Sequence, residues 1–224
     1  MSVTINTTGT IDTRLTTIEN VKLHLGIDAS DAEHDDLLAY LIDAASATIA
    51  GHTHRDFARV NVTEKVPGSG TPKLLLTRRP LVSITSVTYG DSTAGSTVSS
   101  TSYAIDDADA GILFKKTLWT STSIYHSFIE QTPLHPGRRD WVVQYTAGYI
   151  LPNSTATQTL PRDIEHACVM LVKSWFLGRG EDPNVKFQRT GDAAESKFDQ
   201  GSDLGIPPLV QTLLAKWRTL DVIY

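Results

Sequence analysis

The spacing of apolar residues changes twice along this chain, and these changes limit the folds that it can adopt. In residues 37–49 apolar side chains recur every three or four positions, as they do on one face of a helix. Between residues 60 and 87 they alternate or cluster around β-branched residues, which is typical of strands. Helical spacing returns at residues 161–176 and again near residues 207–220. The order predicts an α+β fold: a helical hairpin, a strand-rich stretch, an apolar helix, and a polar arm that ends in an amphipathic helix.

The first helical segment carries the signals of two helices with a short connection. Thr16 and Glu19 have the spacing of a capping box, and Gly26 ends the first helix. Residues 28–31 provide the next cap, and acidic residues gather where the positive end of the second helix favours them. Helices joined by so short a connection pack antiparallel. We therefore predict a helical hairpin over residues 17–51.

The middle of the chain contains a clear strand, a hairpin and a long loop. Residues 141–145 alternate in the manner of a strand with one buried face. Residues 103–106 and 112–114 are predicted to form a hairpin across a polar, glycine-containing turn. Residues 120–140 show no such pattern and are predicted to form a loop. The first ten residues are predicted to form an arm that is either flexible or docked.

The C-terminal third combines one strongly apolar helix, a polar arm and a last amphipathic helix. Pro161 suits the first turn of the helix over residues 161–176, and Cys168 lies in its apolar stripe as a small core residue. Residues 179–206 are polar and lack periodicity. The last helix could pack back on its own domain or reach a neighbour. Five of its apolar residues share a face and are the candidate contacts to a partner: Val210, Leu213, Leu214, Trp217 and Leu220.

Composition and charge exclude several classes of protein. Hydrophobic residues make up 40% of the chain and charged residues 20%, which is typical of folded soluble proteins. A net charge of −5 argues against a dedicated nucleic-acid binder. A single cysteine excludes an internal disulfide framework and a multi-cysteine zinc site. The absence of a long apolar run and of a signal-peptide pattern at the N-terminus predicts a protein of a cytosol-like compartment that makes no membrane contact.

Several short motifs suggest chemistry, but each has a simpler interpretation. His52 and His54 could face a metal ion, yet they lie where a helix gives way to a strand and have no third ligand at diagnostic spacing. Residues 106–111 resemble a calcium loop with a misplaced glycine and no closing glutamate. Residues 90–92 lack the second glycine of a nucleophile elbow, and no glycine-rich phosphate loop occurs. We predict no catalytic, metal-binding or cofactor-binding residues, and no cofactor.

The segments, taken in order, resemble the head–tail connector (adaptor) proteins of tailed bacteriophages. The match rests on the opening helix, on a strand pair that begins with Leu-Thr-Arg-Arg-Pro-Leu, on Tyr-Thr-Ala-Gly-Tyr before the apolar helix, and on Gly-Ile-Pro-Pro before the last one. In this sequence these are residues 18–28, 76–87, 145–149 and 205–208.

The resemblance implies a structural protein without enzymatic activity. It implies one adaptor domain over residues 1–224, with a helical core (14–57 and 160–178), a β-rich insertion (58–150) and a C-terminal arm and helix (179–224). It also implies a homo-oligomeric ring of twelve subunits under the portal protein, in the neck of a virion assembled in the host cytoplasm. The ring would extend the DNA channel without sequence-specific binding and join the capsid to a stopper or tail-completion protein.

Two other functions fit parts of the sequence. The β-rich middle could be a ligand-binding module of a phage or bacterial protein, which would hold a carbohydrate or peptide on Trp119, Tyr125 and Trp141. A metal-dependent hydrolase would use His52 and His54.

Overall fold

The computed structural model describes residues 2–5, 11–90, 96–120, 141–180, 187–190, 194–197 and 205–218. The chain divides into two compact units, which we call unit 1 (Met1–Ile11 and Ala58–Tyr149) and unit 2 (Asp12–Phe57 and Ile150–Tyr224). Unit 1 consists mainly of strands, and unit 2 consists mainly of helices. The predicted α+β class is therefore confirmed, with the β-rich stretch inserted between helical segments.

The strands of unit 1 form two antiparallel sheets. In chain order they are β1 (Ser2–Ile5), β2 (Val60–Val66), β3 (Lys73–Leu75), β4 (Leu81–Tyr89), β5 (Ser96–Thr97), β6 (Tyr103–Asp107), β7 (Ile112–Lys115) and β8 (Trp141–Ala147). One sheet has the order β1-β2-β8-β4-β5 and the other the order β3-β7-β6. The predicted hairpin is β6–β7. The N-terminal arm is docked, because β1 pairs with β2.

The core of unit 1 is built on β8, which pairs with β2 on one side and β4 on the other. Trp141, Val143 and Tyr145 are all buried in the same hydrophobic cluster, which confirms that they share a face. The strand ends at Ala147, and Gly148 follows it with a φ of +100°, donates its N–H to the Pro80 carbonyl at 2.9 Å and lies against Ala58. A Cβ atom at Gly148 would lie 2.3 Å from the Ala58 carbonyl oxygen, so this approach requires glycine.

Unit 2 is organised around its longest apolar helices. Its helices are α1 (Ile18–Leu25), α2 (Asp35–Thr53), α3 (Arg162–Leu177) and α4 (Pro208–Leu214), with short 3₁₀ turns at Gly178–Gly180 and Ala215–Trp217. Helix α3 packs against α1, α2 and α4, and its apolar stripe is buried as predicted. Two strands, β9 (Phe187–Thr190) and β10 (Ala194–Lys197), pair within the arm, where the sequence shows no periodicity. None of the described helices is long and apolar enough to cross a membrane.

The helix starts differ from the predicted ones. The N-cap of α1 is Thr17, whose side-chain oxygen accepts a hydrogen bond from the Asn20 N–H at 3.3 Å, whereas Thr16 is buried. Asp28 accepts from the N–H of Ser30 and so closes a turn before α2 instead of capping it. The residue before α2 is His34, whose side chain makes no capping hydrogen bond to the described backbone. The end of α1 is as predicted, at Gly26 with a φ of +74°.

Cys168 is predicted to be chemically inert in the folded protein. Its side chain is fully buried beside Ser46, with Oγ and Sγ 3.7 Å apart, and burial raises the pKa of the thiol to about 12. Because the thiolate is the reactive form, we expect no reaction with a thiol reagent such as DTNB at pH 8. The same protein in guanidinium should release one equivalent per chain, since the sequence has one cysteine. Rapid labelling of the native protein would contradict the packing of α3 against α2.

Candidate assembly interface

The last helix, α4, lies on α3 and buries one side against its own unit. Ile206, just before α4, and Val210 and Leu214 within it are 0%, 1% and 0% exposed. Pro207 starts the helix, and the Gln211 side chain donates to the Ile206 carbonyl at 2.9 Å. The apolar spacing that predicted this helix therefore serves packing within unit 2.

Polar contacts fasten the end of this segment to the first turn of α3. The indole N–H of Trp217 donates to Asp163 Oδ2 at 2.9 Å, and Lys216 Nζ lies 2.6 Å from the same oxygen. The Arg55 guanidinium lies 5.6 Å from the centre of the Trp217 ring. Burial alone raises the pKa of Asp163, but the hydrogen bonds from Lys216 and Trp217 outweigh it, and its pKa is lowered. Sequence analysis did not identify Asp163 as the anchor of the C-terminal segment, because its two partners lie more than 50 residues away in the sequence.

The structure places the five candidate contact residues in different environments. Val210 and Leu214 are buried, Leu213 and Trp217 are half-buried, and Leu220 lies outside the described residues. Contact of these residues with a portal or a neighbouring subunit stays a prediction. On the outer side of the same helix, Leu209 is 55% exposed, which leaves an apolar side chain available to a partner.

The other sequence candidates are not brought together. His52 is buried near the end of α2, whereas His54 is exposed and follows the helix in a left-handed conformation. Residues 106–111 lie mainly in the turn between β6 and β7, where Asp107 accepts a hydrogen bond from the N–H of Ala110. The first residue of the 90–92 motif is Gly90 at the end of β4; the other two lie outside the described residues.

The two described tryptophans proposed to hold a ligand are core residues. Trp119 and Trp141 are 0% and 3% exposed, and their ring centres are 4.9 Å apart. The Lys115 ammonium lies 4.6 Å and 4.2 Å from those two ring centres, and burial lowers its pKa. Tyr125, the third residue, lies outside the described residues. The tryptophan rings thus pack on each other and on Lys115, and they offer no exposed face to a sugar or peptide.

Unit 1 also holds a buried carboxylate that sequence analysis missed. Glu64 on β2 is 0% exposed and accepts hydrogen bonds from the Tyr145 hydroxyl at 2.6 Å and from the Thr77 N–H at 3.0 Å. The Thr77 hydroxyl donates to its other oxygen at 2.5 Å. Such a group stays in a core only when its oxygens are satisfied. The one local signal of a buried carboxylate was a glutamate in a strand whose buried face is otherwise valine. Its hydrogen-bond donors could not be predicted, because they come from distant segments of the chain.

The Glu64–Tyr145 pair predicts a loss of stability in alkali. Burial, the Glu64 charge and the hydrogen bond to Glu64 raise the pKa of Tyr145 above its ordinary value near 10. Between pH 10 and that raised value the unfolded chain loses the phenolic proton and the folded chain keeps it. We therefore expect Tyr145 to lower the free energy of unfolding by about 1.4 kcal/mol per pH unit above pH 10, and to have no such effect below it.

The measurement is the urea midpoint of the wild type and of Tyr145→Phe between pH 8 and 11. Tyr145→Phe should be less stable at pH 8, because Glu64 loses a donor, but its stability should fall less steeply above pH 10. Tyr40→Phe is the matched control, because Tyr40 is 69% exposed and should behave as the wild type. Equal slopes for Tyr145→Phe and wild type would contradict the buried pair.

Comparison with known proteins gives one family and a set of similar structures. The family model described as head completion protein matches residues 14–220. No curated protein matches the chain.

The similar structures come from the particles called gene transfer agents (GTA). One is the neck of an empty GTA particle computed with C6 symmetry, with a TM-score of 0.58 and 18% identity. A second is the virion of a native GTA particle, with a TM-score of 0.56 and 19% identity. A third is the neck of a native GTA particle computed with C12 symmetry, with a TM-score of 0.55 and 19% identity. In each case the match covers 100% of this chain and 98% of the other, so the fold is shared over the whole length.

Proposed function

This chain belongs to the head completion protein family, and we propose that it forms a ring under the portal protein of a phage-like particle. The family membership confirms the resemblance to head–tail connectors that its motifs carry. In the proposed arrangement the ring lies in the neck of the virion, extends the DNA channel and joins the capsid to a stopper or tail protein. We propose a structural role with no catalytic activity.

The observation that carries this proposal is the full-length agreement of fold with chains from GTA particles, two of them described as necks. Each match covers 100% of this chain and 98% of the other chain, so the likeness of fold is not confined to one of the two units. The C12 symmetry stated for one of those necks supports a ring of twelve subunits. A net charge of −5 is compatible with DNA that passes without binding, because phosphate contacts need Lys and Arg.

The C-terminal helix is the proposed attachment point to the portal or to an adjacent subunit. An amphipathic helix in a groove is a common recognition mode. The inner side of α4 is committed to α3 in this structure, so the outer side, with Leu209 exposed and Leu213 half-buried, is the surface that a partner could reach without undocking.

The test is co-assembly with the portal ring of the same particle, imaged by electron microscopy. We expect a collar of density below the portal, and its symmetry gives the subunit number. Leu209→Ser combined with Leu213→Ser should reduce the occupancy of the collar and leave the fold intact by circular dichroism. Leu177→Ser is the control, because Leu177 is 64% exposed at the end of α3 and outside α4.

Two outcomes would count against this proposal. No collar with folded protein would reject the neck position. A collar of full occupancy with the Leu209→Ser, Leu213→Ser double variant would support the neck position and reject α4 as the attachment point. Truncation at Gly205 is a poorer test, because it also removes Ile206, Val210 and Leu214 and so uncovers the apolar face of α3.

A further inference from the structure

Helix α2 has an outer face that is uncharged and open to solvent. Its inner face is buried in unit 2 and consists mainly of apolar residues: Leu38, Ile42, Ala45 and Ile49. The residues that follow helical spacing on the other side are exposed or half-buried: Leu37, Tyr40, Ala44, Ala47 and Gly51. We call these five the outer face of α2. A helix face that stays in water ordinarily carries charged residues, and this one carries none.

The large side chains of this face are of the kind found at the centre of protein interfaces. Tyr40 is 69% exposed and Leu37 is 38% exposed. Between Leu37 and Gly51 the sequence of α2 contains one charged residue, Asp43, and the Arg14 guanidinium lies 2.6 Å and 3.0 Å from its two carboxylate oxygens. Tyrosine is enriched among the residues that contribute most to binding between proteins. The outer face of α2 therefore has the composition of a docking surface.

A second exposed apolar face lies in unit 1, on the sheet with the order β3-β7-β6. The register places Phe114 between Lys73 and Ala104, and it places Ile112 beside Leu75. Residues that pair directly across strands point to the same side of a sheet. Leu75 and Phe114 are 47% and 37% exposed, so two large apolar side chains of neighbouring strands face solvent together. We call this side the outer face of the small sheet.

The two units carry net charges of opposite sign. Unit 1 has nine Lys and Arg residues and seven Asp and Glu residues, which gives a formal charge of +2. Unit 2 has eleven Lys and Arg residues and eighteen Asp and Glu residues, which gives −7. Charge complementarity therefore favours contact of unit 2 in one copy with unit 1 in another copy. Contact between two copies of unit 2 is disfavoured for the same reason.

Charges around the two faces also favour one orientation. Glu33 and Asp36 are exposed at the start of α2. On the small sheet, Lys73 and Lys116 are exposed at the end of the face where Phe114 lies, and the exposed aspartates of the β6–β7 turn are at the opposite end. Lys73 also pairs with an aspartate of β6 at 2.8 Å, yet its side chain stays 58% exposed. The acidic start of α2 thus fits the lysine end of the small sheet.

We propose that the outer face of α2 in one copy of this chain packs on the outer face of the small sheet in a second copy. The proposal rests on the proposed ring, in which every subunit meets its two neighbours through two different surfaces. In this contact Tyr40 covers Phe114, and the acidic start of α2 lies at the lysine end of the sheet. Repetition of the contact from copy to copy closes the ring.

The experiment is cross-linking of a mixture of two full-length variants, Ala44→Cys and Ala104→Cys, with a short bismaleimide. Ala44 lies one turn from Tyr40, and Ala104 lies beside Phe114. The natural cysteine, Cys168, is buried. We expect linked dimers in the mixture and none in either variant alone, because a head-to-tail contact does not bring two equivalent positions together. The mixture is tested both in the collar assembled on the portal ring and as the isolated chain.

A charge on the outer face of α2 should weaken the contact without unfolding the chain. Ala47→Glu, added to the Ala44→Cys variant, places a carboxylate in an apolar contact and should lower the yield of linked dimers by about tenfold or more. Ala156→Glu in the same background is the matched control, because Ala156 is exposed and lies outside α2. Circular dichroism of both variants should match that of the wild type.

The outcomes separate this interface from the proposed neck function. A collar without linked dimers would overturn the interface and leave the neck position standing. Linked dimers of the isolated chain without a collar would support the interface and count against the neck position, and failure of both would reject both. Dimers of Ala44→Cys alone, or equal yields with Ala47→Glu and Ala156→Glu, would also overturn the interface.

Discussion

Replacing Trp141 with alanine is expected to lower the free energy of unfolding by about 3–5 kcal/mol, the largest effect of any single core truncation that we predict. Trp141 is 3% exposed and lies at the start of the central strand β8. Its ring contacts Trp119 and Tyr89, with ring centres 4.9 Å and 4.8 Å away, and it supports the Lys115 ammonium. Truncation leaves a cavity beneath a lysine that then lacks one of its two aromatic partners.

The measurement is urea unfolding followed by far-ultraviolet circular dichroism. Trp141→Phe should recover a good part of the loss, because it keeps an aromatic ring in the cluster, although it removes part of the indole volume and the hydrogen bond from the indole N–H to the Thr120 carbonyl. Leu118→Ala is the control: Leu118 is close in sequence to Trp119 but 52% exposed, and it should cost less than about 1 kcal/mol. A loss in Trp141→Ala as small as that of the control would contradict the packing of the cluster.

Replacing Leu214 with aspartate is expected to release the C-terminal helix from α3. Leu214 is 0% exposed, and an unpaired carboxylate at its position costs several kcal/mol in addition to the lost apolar contact. Because α4 lies near the end of the described residues and the contacts of α3 with α1 and α2 do not involve it, we expect local undocking rather than global unfolding. Amide exchange in residues 208–217 should accelerate by about 100-fold or more, with smaller changes in α2.

Leu209→Asp is the matched control for this variant. It introduces the same charge five residues earlier on the outer side, where Leu209 is 55% exposed, and should leave the exchange rates of α4 close to the wild type. Equal acceleration in both variants would mean that an added charge weakens α4 at either position, and that the contact of Leu214 with α3 is not what holds the helix. Slow exchange in Leu214→Asp would contradict the burial of this side.

Helices could be predicted from this sequence because their signals are local. The apolar stripe of α3, the left-handed Gly26 after α1 and the proline before α4 act within one or two turns, and each has the predicted place in the structure. The alternation of residues 141–145 was sufficient to predict the strand β8 for the same reason. The cap of α1 was displaced by one residue because Thr16 and Thr17 both suit it, and packing takes Thr16 into the core.

The features that could not be predicted depend on contacts between distant segments. Leu37 fits the apolar spacing of α2 yet is 38% exposed, whereas Lys22 is 4% exposed because Asp35 pairs with it at 2.5 Å. The donors to Glu64 come from β8 and from the segment before β4. For the same reason no spacing rule pairs His24 with His166, or Asp163 with Trp217. Sequence patterns thus give the elements, and tertiary packing decides which polar groups meet.

The packing of Trp119 and Trp141 against each other has a consequence for where residues can be inserted into this chain. The indole N–H of Trp141 donates to the Thr120 carbonyl at 2.8 Å, so the two described residues on either side of residues 121–140 are held together. This contact holds Thr120 and Trp141 in place whatever the sequence between them. Closing a connection of twice that length costs only about 0.6 kcal/mol more. A foreign epitope or a cleavage sequence can therefore be inserted between Thr120 and Trp141 without shifting the register of β8. Such an insertion would mark the position of each subunit in an assembled particle.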